Sequence, residues 1–369
     1  MYSQNDLDEA VASGALSAEG AAAFRNFVDS QRSLPAVDEE HFRLITGFND
    51  VFVAIASAIL LFAVGWIGQS IGQSLGLIID TDGPSPLAPA AVAATAWGLA
   101  LFFTAKRRMA LPSILLLLAF VGGVLATAGF TLVLAIGEQQ FSGNTPVLGS
   151  IVAATAAAIA AGGAWLHWRR FQVPITIAAG AAAVAAVAVG LLVAVIGESG
   201  NIENIILGFV LLLGIAMFLF AMRWDSSDPA RVTRRSDVAF WLHLLAAPMI
   251  VHPVFTLLGL NDGNASIGEG LVVIALYVAL GLAALAVDRR ALLVSALAYV
   301  LYALNELFKQ VGAVELNVVL TALVIGSALL LLSAFWHQAR RMVVSVLPAP
   351  LQSKLPLVDR PAAMVLPAA

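Results

Sequence analysis

The chain has 369 residues, of which 60% are hydrophobic and only 11% are charged, with a formal net charge of −4. An average soluble domain is about 45–50% apolar and about 25% charged, and its charged side chains cover its surface. The composition therefore excludes an ordinary water-soluble domain, and the absence of cysteine excludes disulfides, thiolate metal sites and cysteine nucleophiles.

Residues 1–48 form an acidic segment ahead of the first apolar run. The segment carries eight acidic side chains against three arginines, a net charge of −5, and it lacks the basic start of a cleavable signal peptide. Gly14 is expected to stop a first short helix, and Ser17 to cap a second one with Glu19 in its first turn. We predict a cytosolic helical hairpin that docks on the membrane domain or on a protein partner. Without a basic face, a nucleic-acid partner is not expected.

Ten apolar runs follow, each long enough to approach the thickness of a bilayer. A hydrocarbon core of about 30 Å requires about 20 apolar residues at about 1.5 Å per residue. Because the period-2 alternation of strands is absent, the runs predict α-helices. The fold class is therefore an all-α polytopic bundle over residues 49–337, with predicted spans at 51–71, 87–104, 111–136, 145–168, 173–196, 202–222, 238–260, 268–287, 291–308 and 317–336.

Charge alternates between the loops that join these spans. Acidic residues follow the odd-numbered spans, and positive charge concentrates in the loops that stay cytoplasmic. If both termini are cytoplasmic, 18 of the 19 lysines and arginines lie inside, Lys309 being the exception. The basic residues after the even-numbered spans are Lys106, Arg107, Arg108, Arg169, Arg170, Arg223, Arg231, Arg234, Arg235, Arg289, Arg290, Arg340 and Arg341.

Residues 338–369 are predicted to form a Pro-rich cytosolic tail. The part after Arg341 holds five prolines, at positions 348, 350, 356, 361 and 367. Because proline lacks a backbone N–H and its ring clashes with the preceding turn, we expect this tail to leave the helix and to be extended or disordered.

Two patterns of small residues and prolines concern packing. Small residues at four-residue spacing, as in 122–126, 158–162 and 186–190, predict close helix approach inside the bundle or, alternatively, a dimer face. Arg107-Arg108 with Pro112 opens the third span, and Arg169-Arg170 with Pro174 opens the fifth. A duplicated two-helix hairpin and the ordinary recurrence of such flanks both explain this similarity.

The hairpin letters Gly14-Ala15-Leu16-Ser17-Ala18-Glu19-Gly20-Ala21, followed by many spans, resemble a bacterial family of membrane proteins of unknown function. Members of that family open with a short cytosolic segment of the pattern G-x-[IL]-[ST]-x-E-x-A. The resemblance covers about the first 70 residues. It implies a bacterial inner membrane, and it carries over no catalytic residue and no activity.

Ionisable and polar residues inside spans are costly in hydrocarbon and are the candidates for function. His252 lies in the seventh span and Glu269 opens the eighth, both in the outer half of the bilayer by residue count. Tyr302, Asn305 and Glu306 lie on the ninth span, where Tyr302 and Glu306 share a face. Together these five residues are a candidate ion or substrate site.

Two prolines near His252 support a functional site, and the same residues also have a purely structural explanation. Pro248 and Pro253 flank His252, and each removes a helix hydrogen bond and frees a carbonyl. A kinked helix beside a carboxylate and a histidine is typical of a proton- or cation-coupled site. Alternatively, Glu306 reaches interfacial water, Glu269 occupies a favourable first turn, and His252 donates one structural hydrogen bond.

Motifs of known chemistry are absent from the sequence. It contains neither a Walker A nor a dinucleotide-binding glycine pattern, and neither H-E-x-x-H nor G-x-S-x-G. We therefore predict no catalytic residue, no cofactor and no metal. The sequence favours an inner-membrane protein that acts by interaction or regulation, and leaves open a secondary transporter or an intramembrane enzyme acting on a lipid-linked substrate.

Overall fold

The computed structural model describes residues 11–14, 16–24, 48–80, 82–141, 146–197, 199–229, 231, 233–259, 267–290, 292–294, 297, 300, 301, 304 and 317–358. All the regular secondary structure of these residues is helical. Those among residues 1–42 and those among residues 43–358 belong to two separate units, which are described in turn.

In the first unit, the turn between two short helical stretches is built as the sequence predicts. Gly14 has a positive φ of 76°, and its amide donates to the carbonyl of Val11 at 3.1 Å. The Ser17 hydroxyl accepts a hydrogen bond from the amide of Gly20 at 3.0 Å. The glycine stop and the serine cap are therefore confirmed, because glycine tolerates that φ and serine satisfies a free amide.

In the second unit, long helices coincide with the first eight predicted spans and with the tenth. The predicted ninth span lies largely outside the described residues. The helices are α1 (Phe48–Ser74), α2 (Leu87–Phe103), α3 (Ala110–Ile136), α4 (Pro146–Phe171), α5 (Ile175–Ile196), α6 (Ile202–Ser226), α7 (Arg234–Leu257), α8 (Ile267–Val287), α9 (Asn317–Ala334), α10 (Trp336–Val346) and α11 (Ala349–Gln352).

Several of the described helices are suited to a bilayer by length and composition. Six are long and apolar enough to cross it, and α9 with α10 adds a seventh if that pair, bent by 76°, counts as one span. The helix α2 and the apolar part of α8, Leu271–Val287, are shorter. Large apolar side chains are exposed along these helices, for example Val195 at 85% and Phe62 at 72%. Lipid is the solvent that accepts such a surface, so the chain is a multi-pass membrane protein.

The prediction of an extended tail after Arg341 is wrong for its first part. The helix α10 continues through Val346, and a further helical turn forms at α11 after Pro348. One face of α10, formed by Trp336, Arg340 and Val344, is buried. These residues recur every four positions, so packing of one helix face keeps the segment helical until proline ends it.

Consecutive helices pack closely through small residues. A Cβ at Gly190 of α5 would lie 2.9 Å from the Cβ of Ala154 of α4, so this pair shows the predicted close approach. For Gly122 and Gly162, by contrast, a Cβ would meet nothing within 4 Å in the described part of the chain. Next to Gly122, it is Gly123 that faces α2 closely: a Cβ added to Gly123 would lie 2.8 Å from a backbone oxygen of that helix.

The contact of α6 with α7 uses a carbonyl that proline releases. Pro253 has no N–H to donate to the carbonyl of Met249, one turn earlier in α7. A Cβ added to Gly214 of α6 would lie 2.8 Å from this carbonyl carbon and oxygen. The glycine therefore lets the backbone of α6 approach the Pro-containing turn of α7 directly.

Replacing Gly214 by alanine is expected to destabilise the protein by about 1–3 kcal/mol, because the added methyl forces α6 and α7 apart. Gly208 is the matched control, since it lies on the same helix and a Cβ there meets nothing within 4 Å among the described residues. Gly208→Ala should be neutral or stabilising by up to about 1 kcal/mol. Thermal unfolding in detergent measures both variants, and equal effects of the two substitutions would contradict the close contact.

Candidate functional site at the basic helix ends

The structure describes part of the site predicted from the sequence. His252 is exposed on α7, and its carbonyl accepts a hydrogen bond from the Thr256 hydroxyl at 2.9 Å. Glu269 is the third residue of α8, and its side chain is outside the described residues, as are Tyr302, Asn305 and Glu306. The clustering of these five residues stays a prediction.

A different set of polar residues, most of them buried, lies where α6, α7, α8 and α10 meet on the side that carries the arginines, here called the basic side. These residues are Asp225, Arg231, Ser236, His243, Asp288, Arg289, Trp336 and Arg340, and they are named the basic-end network. Asp225 lies in the last turn of α6, His243 in the third turn of α7, and Arg289 just after α8.

Asp225 is the centre of the first half of the network. Arg289 donates to its two carboxylate oxygens, from Nη2 to Oδ1 at 2.5 Å and from Nε to Oδ2 at 3.3 Å. His243 Nε2 lies 3.0 Å from Oδ2. Asp225 and His243 are fully buried and Arg289 is 2% exposed. A two-pronged guanidinium–carboxylate contact away from water is a strong, directional ion pair.

Arg289 also makes two contacts with α7. Its Nη2 donates to the carbonyl of Ser236 at 3.0 Å, in the first turn of α7. The guanidinium carbon lies 6.0 Å from the ring centroid of Phe240, one turn further along that helix. Arg289 therefore connects the turn after α8 to two helices. It forms an ion pair with α6, and it contacts a backbone oxygen and an aromatic ring of α7.

Asp288 is the centre of the second half. Its carboxylate accepts hydrogen bonds from Arg231 Nη1 and from Trp336 Nε1, both at 2.8 Å. Arg231 also donates to the backbone carbonyls of Val287 and Asp288, at 3.0 and 3.1 Å. The positive φ of Asp288, 60°, turns the chain sharply at this point. One short loop thus collects partners from the turn before α7 and from the start of α10.

Arg340 extends the network to the chain after α11. It lies 3.8 Å from the Asp288 carboxylate and donates to the carbonyls of Pro356 and Leu357, at 2.6 and 3.1 Å. The amide of Leu357 in turn donates to the carbonyl of Pro229, ahead of α7, at 3.3 Å. The segment that follows α11 is therefore held against the basic ends of the helices by a buried arginine.

The arginines set the charge state of Asp288. Burial alone raises its pKa, but the charges of Arg231 and Arg340 and the hydrogen bond from Trp336 outweigh that effect. The pKa of Asp288 is therefore below the ordinary value of an aspartate, and its carboxylate is ionised at neutral pH.

This arrangement holds helices together and offers little to a substrate. Two carboxylates and three guanidiniums are almost fully used by one another and by backbone carbonyls, inside the protein. Among the described residues no three histidine, aspartate or glutamate side chains lie close enough together to hold a metal ion. The network therefore reads as a structural clamp at one end of the bundle.

This network was not predicted from the sequence, although the sequence contains one signal for it. The charge pattern explains arginines on the basic side by their loops alone and gives them no partner inside the protein. Asp225 and Asp288 are acidic residues on the side where the charge pattern concentrates arginine. An acid that departs from this pattern and lies next to a predicted span indicates a buried pair.

The fold and this cluster define a class: a multi-pass helical membrane protein whose helices are clamped at one end by a buried ion network. No protein-family model, no curated protein and no solved structure matches the chain.

Removing one partner of the central pair should be costly. In Asp225→Asn the buried Arg289 charge loses its counter-charge, and we expect a loss of about 3–5 kcal/mol in stability. The double variant Asp225→Leu with Arg289→Met replaces the pair by apolar groups and should recover most of that loss. Arg223→Gln, which removes an exposed arginine on the same helix, should change stability by less than about 0.5 kcal/mol.

Thermal unfolding of these variants in detergent measures the comparison. A double variant as unstable as Asp225→Asn, or an unchanged Asp225→Asn, would show that the pair does not stabilise the fold in this way.

The depressed pKa of Asp288 predicts a pH dependence. A carboxylate with a lowered folded-state pKa stabilises the fold above its unfolded pKa of about 3.9, and this stabilisation is lost as the pH falls through the folded value. Asp288→Asn should therefore unfold at a lower temperature than the wild type at neutral pH, and the gap should close below about pH 4. Asp82→Asn, at an exposed position, is the control. A gap that stays constant down to about pH 3 would contradict the ionised state of Asp288.

Proposed function

We propose that this chain is a component of the bacterial inner membrane, with about ten spans and both termini in the cytoplasm, that acts by interaction or regulation. The observation that carries the proposal is the basic-end network, whose hydrogen bonds and ion pairs join four helices and the segment after α11. A surface held together in this way at the membrane boundary is suited to bind a partner. The charges inside it are already paired and are not free for chemistry.

The contacts at both ends of the bundle support this topology. Arg231 and Asp288 lie in two loops and Arg340 lies in α10, all on the side to which the charge pattern assigns them, and Asp288 contacts both arginines. On the opposite side, the backbone amide of Asp80 donates to the carboxylate of Glu138, and these two residues come from loops after the first and third predicted spans. Both sets of contacts agree with an alternating path through the membrane.

The N-terminal segment is the part of the chain proposed to meet a protein partner. Residues 1–48 carry a net charge of −5. Within the described part, Glu19 is exposed and Phe24 is 40% exposed. A surface that combines acidic groups with an apolar ring is suited to a basic partner with an apolar patch, because opposite potentials steer association and apolar contact holds it.

A secondary transporter is the second candidate, and His252 favours it. An exposed imidazole on a Pro-containing helix is costly in hydrocarbon, so a functional reason for it is the default. The Met249 carbonyl, which Pro253 leaves without a helix hydrogen bond, is not open to a ligand, because it lies against Gly214 of α6. Carbonyl coordination of a cation at that turn would require α6 to move away.

A flux assay separates the two candidates. The purified protein is reconstituted in liposomes that enclose a pH-sensitive dye, and a membrane potential is imposed. Our proposal predicts proton flux equal to that of protein-free liposomes, for the wild type and for Glu306→Gln alike. A flux that the wild type supports and that Glu306→Gln or His252→Gln abolishes would make the transporter the correct function.

Photo-crosslinking in cells tests the interaction directly. A photoreactive amino acid at position 24 should give discrete adducts of higher mass, and neutralising the acidic residues of the segment should weaken them because the attraction to a basic partner is lost. A probe at Ser353, exposed on the C-terminal side, is the control. Equal adducts at both positions, insensitive to the charge change, would contradict a partner for the N-terminal segment.

A further inference from the structure

A narrow cleft lies near the basic side, between α8, α9 and the residues at 293, 294 and 297. It has a volume of about 120 Å³, and its nine lining residues include four leucines, Leu293, Leu297, Leu329 and Leu332, beside Tyr277, Arg290, Val294, Ser333 and Trp336. A cleft of this size has room for a few methylene groups, and its mainly apolar lining favours an apolar chain over a polar solute.

Arg290 and Trp336 line the cleft at its basic end. The guanidinium carbon of Arg290 lies 4.8 Å from the ring centroid of Trp336. The side chain of Arg290 is half-buried, unlike that of its neighbour Arg289, which is buried in the basic-end network. Stacking on the indole therefore holds a guanidinium at the mouth of an apolar cleft, oriented by the ring.

The cleft reaches into one lipid leaflet. Leu329 lies in α9, five residues before that helix ends at Ala334 next to Trp336, so it is about 7–8 Å deeper along the helix axis. A leaflet of hydrocarbon is about 15 Å thick, half of the bilayer core. The charged end therefore lies at headgroup level, and the leucines lie where acyl chains run.

We propose that this cleft is a binding site for an anionic glycerophospholipid of the leaflet on the basic side. One acyl chain lies along the four leucines, and the phosphate accepts hydrogen bonds from Arg290. Arginine is suited to this role because its planar fork matches phosphate oxygens. Basic pockets between membrane helices take acidic headgroups for the same reason. A zwitterionic lipid fits less well, since its ammonium group offsets the attraction.

Native mass spectrometry of the intact, detergent-purified protein tests this site. Phosphatidylglycerol and phosphatidylcholine with identical acyl chains are added in equal amounts, and the bound copies of each are counted. The wild type should favour phosphatidylglycerol about fivefold, the effect of one arginine near a phosphate. Arg290→Gln should reduce the preference to about one, and Leu329→Trp, which fills the cleft, should remove the tightest-bound lipid of either kind.

Arg169→Gln is the matched control. Arg169 also stacks on a tryptophan, with its guanidinium carbon 5.0 Å from the ring centroid of Trp165, and does not line the cleft. Its replacement removes the same charge and should leave the preference intact.

Equal binding of the two lipids by the wild type would overturn the proposal. So would an equal loss of preference in Arg169→Gln and Arg290→Gln, which would indicate general attraction to a basic surface. Each variant is compared only after it elutes as the wild type does in size-exclusion chromatography. If Arg290→Gln does not fold, unchanged lipid retention in Leu329→Trp overturns the proposal by itself.

Discussion

The pairing of Asp225 with Arg289 is the interaction on which the basic end of the bundle depends. A guanidinium that is 2% exposed and a carboxylate that is fully buried are each very costly alone in a medium of low polarity. Together, with His243 and the Ser236 carbonyl completing the contacts, they satisfy one another. Since the partners come from α6, α7 and the turn after α8, these elements must meet for any of the groups to be satisfied. The pair therefore fixes which helix ends lie together.

The apolar part of the bundle follows a different principle. Lipid offers no hydrophobic gain for bringing two apolar helices together, so close approach of small residues has to supply the contact energy. Gly214 against the Met249 carbonyl and Gly190 against Ala154 are examples of that approach. Such contacts tolerate no added methyl group. The network determines which helix ends meet at one membrane boundary, and the small residues allow the close van der Waals contacts that hold the helices together along their length.

The helices themselves were predictable from the sequence, and the pairing between them was not. In hydrocarbon a run of about 20 apolar residues is most stable as a helix, so composition alone was enough to place helices at the first eight predicted spans and at the tenth. Gly14 and Ser17 were predictable because their chemistry is local. Asp225 and Arg289 are 64 residues apart, and no periodicity links them.

The segment after Arg341 also shows that contacts between distant residues could not be predicted from the sequence. Its prolines correctly mark where α10 ends, yet the helix persists past Arg341 because Arg340 and Trp336 pack on the bundle. The candidate site around His252 is likewise a question of which helices face one another. A local sequence pattern predicts whether a segment tends to be helical. Tertiary contacts determine where the helix ends and which helices it packs against.

The central claim is that the turns carrying arginine lie on one side of the membrane, where the basic-end network joins three of them. The chain contains no cysteine, so single cysteines provide a clean probe of sidedness. Arg107→Cys, Arg170→Cys and Ser353→Cys report the basic side, and Asp82→Cys, Gln140→Cys and Asn201→Cys report the other. In intact cells, an impermeant maleimide should label only the second set, and permeabilised cells should label both. Labelling of any basic-side position in intact cells would contradict the account.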